Sequence, residues 1–151
     1  MNLLIEARNY LHSYGNYQWD DNYPTRDLIK NDIEKHVGYL IFHNETPIGY
    51  FCGDFEGDPC YQDIRGQWLS NQPYLVVHRL GLGDAGRDKG LATSIFQAIE
   101  TIALEHGVHS FRLDTDRRNL KMQHLLPKCG FTFCGYVVFA GDDKLAYEKL
   151  L

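Results

Sequence analysis

The run from Gly81 to Ala92 holds two adjoining patterns, and each implies a different chemistry. Gly81-Leu82-Gly83-Asp84-Ala85-Gly86 spells G-x-G-x-x-G, the glycine spacing by which a strand-to-helix turn approaches a dinucleotide pyrophosphate. Directly after it, Arg87-Asp88-Lys89-Gly90-Leu91-Ala92 spells R-x-x-G-x-A, a loop with two cations and two small residues. Either frame sets unpaired N–H groups and a helix N-terminus around an anion, where the helix dipole favours negative charge. Other residues with usable chemistry lie on both sides of the loop. His78 precedes it, and an imidazole exchanges protons around neutral pH. Asp54 and Glu56 offer carboxylates for a cationic amine, and Tyr136 is a phenol on a later segment.

The elements that must position these residues follow from periodicity and breakers. Leu4, Ala7, Leu11 and Tyr14 recur at helical spacing up to Gly15, and Pro24-Thr25 starts a second helix with Ile29, Ile33 and Val37 on one face. Tyr39 to Phe42 and Ile48 to Phe55 read as a hairpin around Asn44-Glu45-Thr46-Pro47. Gly57 to Pro73 has no clear period, and connections of that length are commonly functional or mobile. It carries Tyr61 and Trp68, which either line a substrate pocket or pin the loop to the core.

Tyr74 to Leu82 is a strand, and the helix after the loop shows Leu91, Ile95, Ile99, Ile102 and Ala103 on one stripe. In the next strand Phe111 and Leu113 share one face while Arg112 and Asp114 take the other. Asn119 is placed to cap a short helix that stops at Gly130. Phe131 to Ala140 and Lys144 to Leu150 form a last antiparallel pair around Gly141-Asp142. Helices, an antiparallel meander, a strand–loop–helix–strand crossover, then helix and hairpin make an α/β chain with a mixed sheet.

Composition narrows the partners. At 151 residues, 44% hydrophobic and 23% charged, the chain suits one domain spanning residues 1–151. A net charge of −5 argues against a general nucleic-acid binder or an anionic-membrane binder. It is compatible with a cationic substrate. Cys52, Cys60, Cys129 and Cys134 form no C-x-x-C pair and no common zinc spacing, and His106, His109 and His124 have no metal spacing either, so no metal is expected. Reduced thiols, no signal-peptide pattern and no apolar run of spanning length make the cytoplasm the expected location.

The dinucleotide frame meets three obstacles. Most of a meander precedes it, only one parallel crossover follows, and Asp114 lies about thirty residues beyond Gly86 instead of about twenty. Gly83 to Lys89 is no phosphate-loop nucleotidase motif, because Gly90 stands where the magnesium-binding hydroxyl belongs.

From Tyr74 to Gly135 the sequence resembles the GNAT superfamily of acetyl-coenzyme A-dependent N-acetyltransferases. The resemblance rests on His78-Arg79-Leu80-Gly81-Leu82, the loop Gly86 to Ala92, the amphipathic helix after it, Asn119, and Lys128-Cys129-Gly130-Phe131. His78-Arg79, Arg112-Leu113-Asp114-Thr115, Asn119, Met122 and Ala146-Tyr147-Glu148-Lys149 look like a branch of small bacterial members of undefined substrate.

The resemblance implies a GNAT fold with a mixed, mostly antiparallel sheet of about six strands flanked by helices. The sequence starts inside the first helix, so either the usual first strand is absent or the start is set differently. A second copy of the chain would then cover the open edge, so a homodimer is one expectation. It also implies acetyl-coenzyme A as co-substrate and a small-molecule or peptide amine as acceptor, in a ternary complex. Arg87, Asp88, Lys89, Gly90, Leu91 and Ala92 would hold the pyrophosphate. Main-chain groups of Leu80 and Leu82 would bind the pantetheine arm, with Gly81 letting the chain pass close to it. Asn119 would serve the thioester, cap its helix, or do both.

Many members carry a tyrosine as general acid at the position of Leu126, and leucine cannot donate a proton. Tyr136, water, or departure of an unprotonated thiolate would take its place. His78 is the first candidate for the base, beside a packing role. Asp54, Glu56, Tyr61 and Trp68 are candidate acceptor contacts. Two other functions stay open at this point: a coenzyme A-binding module without catalysis, and a NAD-dependent oxidoreductase.

Overall fold

The computed structural model describes residues 1–151. The chain opens in α1 (Asn2–Ser13), which buries Leu4, Ala7 and Leu11, and Gly15 leaves it with φ 83°. Glycine takes that backbone without a Cβ clash. Thr25 starts α2 (Arg26–Glu34) by accepting a hydrogen bond from Leu28 N at 3.2 Å. The buried residues of α2 are Ile29 and Asp32, whereas Ile33 is 62% exposed. The expected stripe of Ile29, Ile33 and Val37 is thus corrected: a carboxylate takes the inward place because a buried arginine meets it there.

β1 (Gly38–His43) and β2 (Thr46–Asp54) pair antiparallel. Their turn is Asn44-Glu45, with φ 48° and 69°, the two positive values of a tight hairpin that follows strand twist. The long connection is not featureless. It contains a 3-10 turn (Pro59–Asp63) and the two-residue β3 (Arg65–Gly66).

After it come β4 (Leu75–Leu82), α3 (Ala92–Glu105), β5 (Ser110–Asp116), α4 (Leu120–Lys128), β6 (Thr132–Phe139) and β7 (Asp142–Leu150). The sheet is mixed, flanked by helices, and ordered β1-β2-β4-β5-β7-β6-β3. It has seven strands where about six were expected, and β3 is the one periodicity cannot reveal. The last turn falls on Ala140-Gly141, φ 51° and 83°, one residue before the expected Gly141-Asp142.

Contacts divide the chain into two compact units, Met1–Gly53 with His78–Ala92, and Asp54–Val77 with Thr93–Leu151. The first is built on Leu4, Ala7, Leu11, Trp19, Ile29 and Tyr50. In the second, Phe111 meets Phe131 edge-on with centroids 4.9 Å apart, and Phe96 packs on both. Tyr61, Val76, Val137 and Ala146 form a further cluster there. No helix is long and apolar enough to cross a membrane.

Asp116, at the end of β5, is 5% exposed and receives Arg118 Nε at 2.7 Å, Arg118 Nη2 at 2.9 Å and Lys144 Nζ at 2.7 Å. The Arg118 hydrogen bonds, reinforced by Lys144 against the cost of burial, hold its carboxyl well below the usual carboxylate range. A folded-state value below the unfolded one, about 3.9, contributes stability at higher pH that is lost as pH falls through the folded value. The urea midpoint is therefore expected to drop as pH is lowered from about 5 to about 2. Asp116→Asn should show a shallower drop, and equal slopes would contradict this assignment.

Candidate functional site

Each glycine of G-x-G-x-x-G already faces protein. A Cβ on Gly81 would meet Ala7 and Trp19 at 3.1 Å and Leu4 at 3.2 Å, so α1 occupies the space the missing side chain leaves. At Gly83 it would meet Glu6 at 2.4 Å, and at Gly86 it would meet Ile48 at 2.9 Å. The small size at 81 is thus spent on α1, which corrects the reading in which it admits a cofactor arm.

The second frame is arranged differently. Asp88 and Gly90 take φ values of 58° and 66°, and a Cβ on Gly90 meets nothing within 4 Å. Left-handed residues in such a loop turn neighbouring N–H groups toward a common point, the geometry of an anion nest. Asp88, Lys89 and Gly90 are exposed, and α3 begins at Ala92 with its first-turn N–H groups unpaired by the helix. An exposed left-handed loop with a lysine in it, leading into a helix N-terminus, is an arrangement able to hold an anion.

Arg87 differs from the free loop cation of the sequence reading. Its Nη2 donates to Asp84 Oδ1 at 2.7 Å, and the guanidinium lies 4.1 Å from the Tyr10 ring centroid. The side chain ties the loop's start to α1, an attachment that a cation–π contact strengthens.

Asn119 is buried at 8% exposure, and its Oδ1 accepts a hydrogen bond from Met122 N at 3.2 Å, so its capping role is present. Leu126 is fully buried. Leu126, where the resemblance implied a tyrosine, is therefore core packing. His78 is half-buried in β4, within the first unit. Tyr136 belongs to the second unit, 39% exposed on β6, edge-on to Phe133 with the Arg65 guanidinium 5.7 Å from its ring.

Tyr61 and Trp68 anchor the long connection, the second of the two roles their sequence allowed. Tyr61 is 2% exposed and its hydroxyl donates to Asp114 Oδ2 at 2.6 Å. Burial first, then the Asp114 carboxylate, push the phenol far above its ordinary value, so it remains a donor. Trp68 Nε1 donates to Tyr61 O at 2.9 Å, and the Arg112 guanidinium lies 4.3 Å from the Trp68 ring. Asp54 and Glu56 stand at the end of β2, where Asp54 Oδ1 accepts from Glu56 N at 2.8 Å.

Two buried charge networks escaped sequence reading. In one, Glu148 accepts from Leu69 N at 2.8 Å, Ser70 Oγ at 2.6 Å and Ser110 Oγ at 2.7 Å. Arg112 Nε lies 3.3 Å from Glu148 Oε1, close enough for an ion pair but poorly directed for a hydrogen bond. In the other, Arg79 meets Asp32 in the first unit. A charged residue inside an apolar strand or on the inward face of a helix is the signal that marks such pairs.

Comparison with known proteins identifies the family. The model of the acetyltransferase (GNAT) family matches residues 4–131. No curated protein sequence matches the chain significantly. A GNAT-family acetyltransferase from Streptococcus agalactiae is 32% identical with a TM-score of 0.86, covering 98% of this chain and 86% of its own. One from Listeria monocytogenes is 22% identical with a TM-score of 0.75, over 98% and 85%. The aminoglycoside acetyltransferase AAC(6')-Ib, in complex with coenzyme A and kanamycin, shares the fold at 20% identity and a TM-score of 0.58, over 75% and 65%.

Proposed function

Because the chain belongs to the acetyltransferase (GNAT) family, we propose that it transfers an acetyl group from acetyl-coenzyme A to a primary amine of a small molecule or peptide, directly within a ternary complex. The open left-handed loop at Asp88 to Gly90, leading into α3, is the observation that carries this reading. Coenzyme A supplies the activated acyl group and a thiol leaving group. Main-chain N–H groups of Asp88 to Ala92 hold its phosphates, with Lys89 adding a charge-assisted contact, while the N–H of Arg87 donates to Asp84 O. Leu80 and Leu82 offer main-chain donors and acceptors to the pantetheine arm, and Asn119 serves the thioester end while capping α4.

An attacking amine must be neutral, and His78 is the candidate to take its proton. Tyr136 is the candidate to return a proton to the thiolate, since Leu126 has no group to give. The acceptor's cationic form draws on Asp54 and Glu56. The closest competing reading is coenzyme A binding without turnover, which the apolar residue at 126 favours.

Thiol release with a panel of amines and peptide N-termini separates the two. Acceptor-dependent release well above hydrolysis is the expected result, and release no faster than hydrolysis with every acceptor would remove the transferase reading. On an active acceptor, His78→Ala should lower kcat by about a hundredfold. An unchanged kcat would exclude His78 as the base.

A further inference from the structure

Arg79 has φ 55° in the interior of β4, a backbone that non-glycine residues keep only where their surroundings impose it. Those surroundings are explicit. Arg79 Nη2 donates to Asp32 Oδ1 at 2.7 Å and Nε donates to Asp32 Oδ2 at 3.0 Å, a two-pronged ion pair. Arg79 Nη1 donates to Tyr23 Oη at 3.3 Å, and Tyr50 Oη donates to Asp32 Oδ2 at 2.7 Å. The paired side chains are 10% and 3% exposed. α2 and the α1–α2 connection thus each send a group to one strand residue, and Tyr50 of β2 braces the α2 carboxylate from its other side.

Stability alone does not explain this arrangement. A buried ion pair gives up its hydration, and apolar packing of the same volume commonly does as well or better. A geometric use explains it. A left-handed residue within a strand breaks the regular alternation and re-aims the peptide groups beside it, as bulges next to active sites do. The peptide directly after Arg79 contains Leu80 N.

We propose that Arg79 is a positioning residue, held left-handed by Asp32, Tyr50 and Tyr23 so that the main-chain groups of Leu80 are aimed at the pantetheine arm of coenzyme A. The proposal rests on the coenzyme A reading above and assigns it a second control point, separate from the phosphate loop. Arm and nucleotide should then respond independently to substitution. Arg87 to Ala92 govern the phosphates, and the clasp governs the arm.

Calorimetric titration with coenzyme A and with 3′,5′-adenosine diphosphate, which lacks the arm, tests this directly. In Asp32→Asn/Arg79→Ala, coenzyme A should bind about tenfold more weakly, while the diphosphate stays within about twofold. Asp32→Asn/Arg79→Gly should recover most of the coenzyme A affinity, because glycine keeps the left-handed backbone without a clasp. Parallel weakening of both ligands, or unchanged coenzyme A affinity in the alanine variant, overturns the proposal. Should the alanine variant fail to fold, Asp32→Asn alone decides: selective loss of coenzyme A affinity supports the clasp, and no selective loss overturns it. Absence of binding by the unaltered protein would instead overturn the coenzyme A reading itself.

Discussion

Gly90→Glu is expected to weaken acetyl-coenzyme A binding by at least about a hundredfold, while the far-ultraviolet spectrum stays that of the parent and the unfolding midpoint matches that of Gly90→Ala. Gly90 has φ 66° and open space on its Cβ side. A glutamate there places a carboxylate where the proposal seats phosphates, and like charges repel. Charge-assisted hydrogen bonds contribute roughly 1.5–3 kcal/mol each, and about 2.7 kcal/mol suffices for a hundredfold loss.

Gly90→Ala is the control. It brings only the backbone strain of a left-handed L-residue, roughly 1–2 kcal/mol, without the charge. Arg87→Ala should behave in the opposite manner to Gly90→Glu, because its guanidinium is engaged with Asp84 and Tyr10. Its unfolding midpoint should fall more than its affinity. If Gly90→Glu binds as the parent does, the phosphates are held elsewhere.

Glu148→Ala is expected to lower unfolding free energy by roughly 3–5 kcal/mol, the range for breaking a buried pair and leaving a charge unpaired. Glu148 is fully buried, and the substitution strands Leu69 N, Ser70 Oγ and Ser110 Oγ together with the Arg112 guanidinium. Leu69 and Ser70 lie in the connection between β3 and β4, so the same change should release that segment to proteolysis. Arg112 would remain over Trp68 and Tyr74, at 4.3 and 4.2 Å, but without its counter-ion. Urea unfolding with a loss under about 1 kcal/mol would contradict the account of this network.

The elements that could be read from the sequence are those whose signals are local. The helix start at Pro24-Thr25, the Asn119 cap and the hairpin at Asn44-Glu45-Thr46-Pro47 each depend on neighbours within a few residues. The placement of the R-x-x-G-x-A run between a strand and a helix is local in the same way. What escaped depends on distant partners. Asp32 displaces Ile33 from the inward face only because Arg79, far along the chain, lies opposite. β3 is two residues long and exists through Tyr136 and Gly135, its partners on β6. Tyr61 and Trp68 could be named as aromatics of interest, but Asp114 and Arg112 decide that they anchor a loop. Gly81 belonged to a motif in sequence and belongs to the α1 interface in three dimensions.

Isothermal titration of the purified chain with acetyl-coenzyme A tests the central claim most directly. Saturable binding with one site per chain and a dissociation constant at or below about tens of micromolar is the result expected of a working co-substrate site. No heat of binding across that range, with the protein folded, would contradict it.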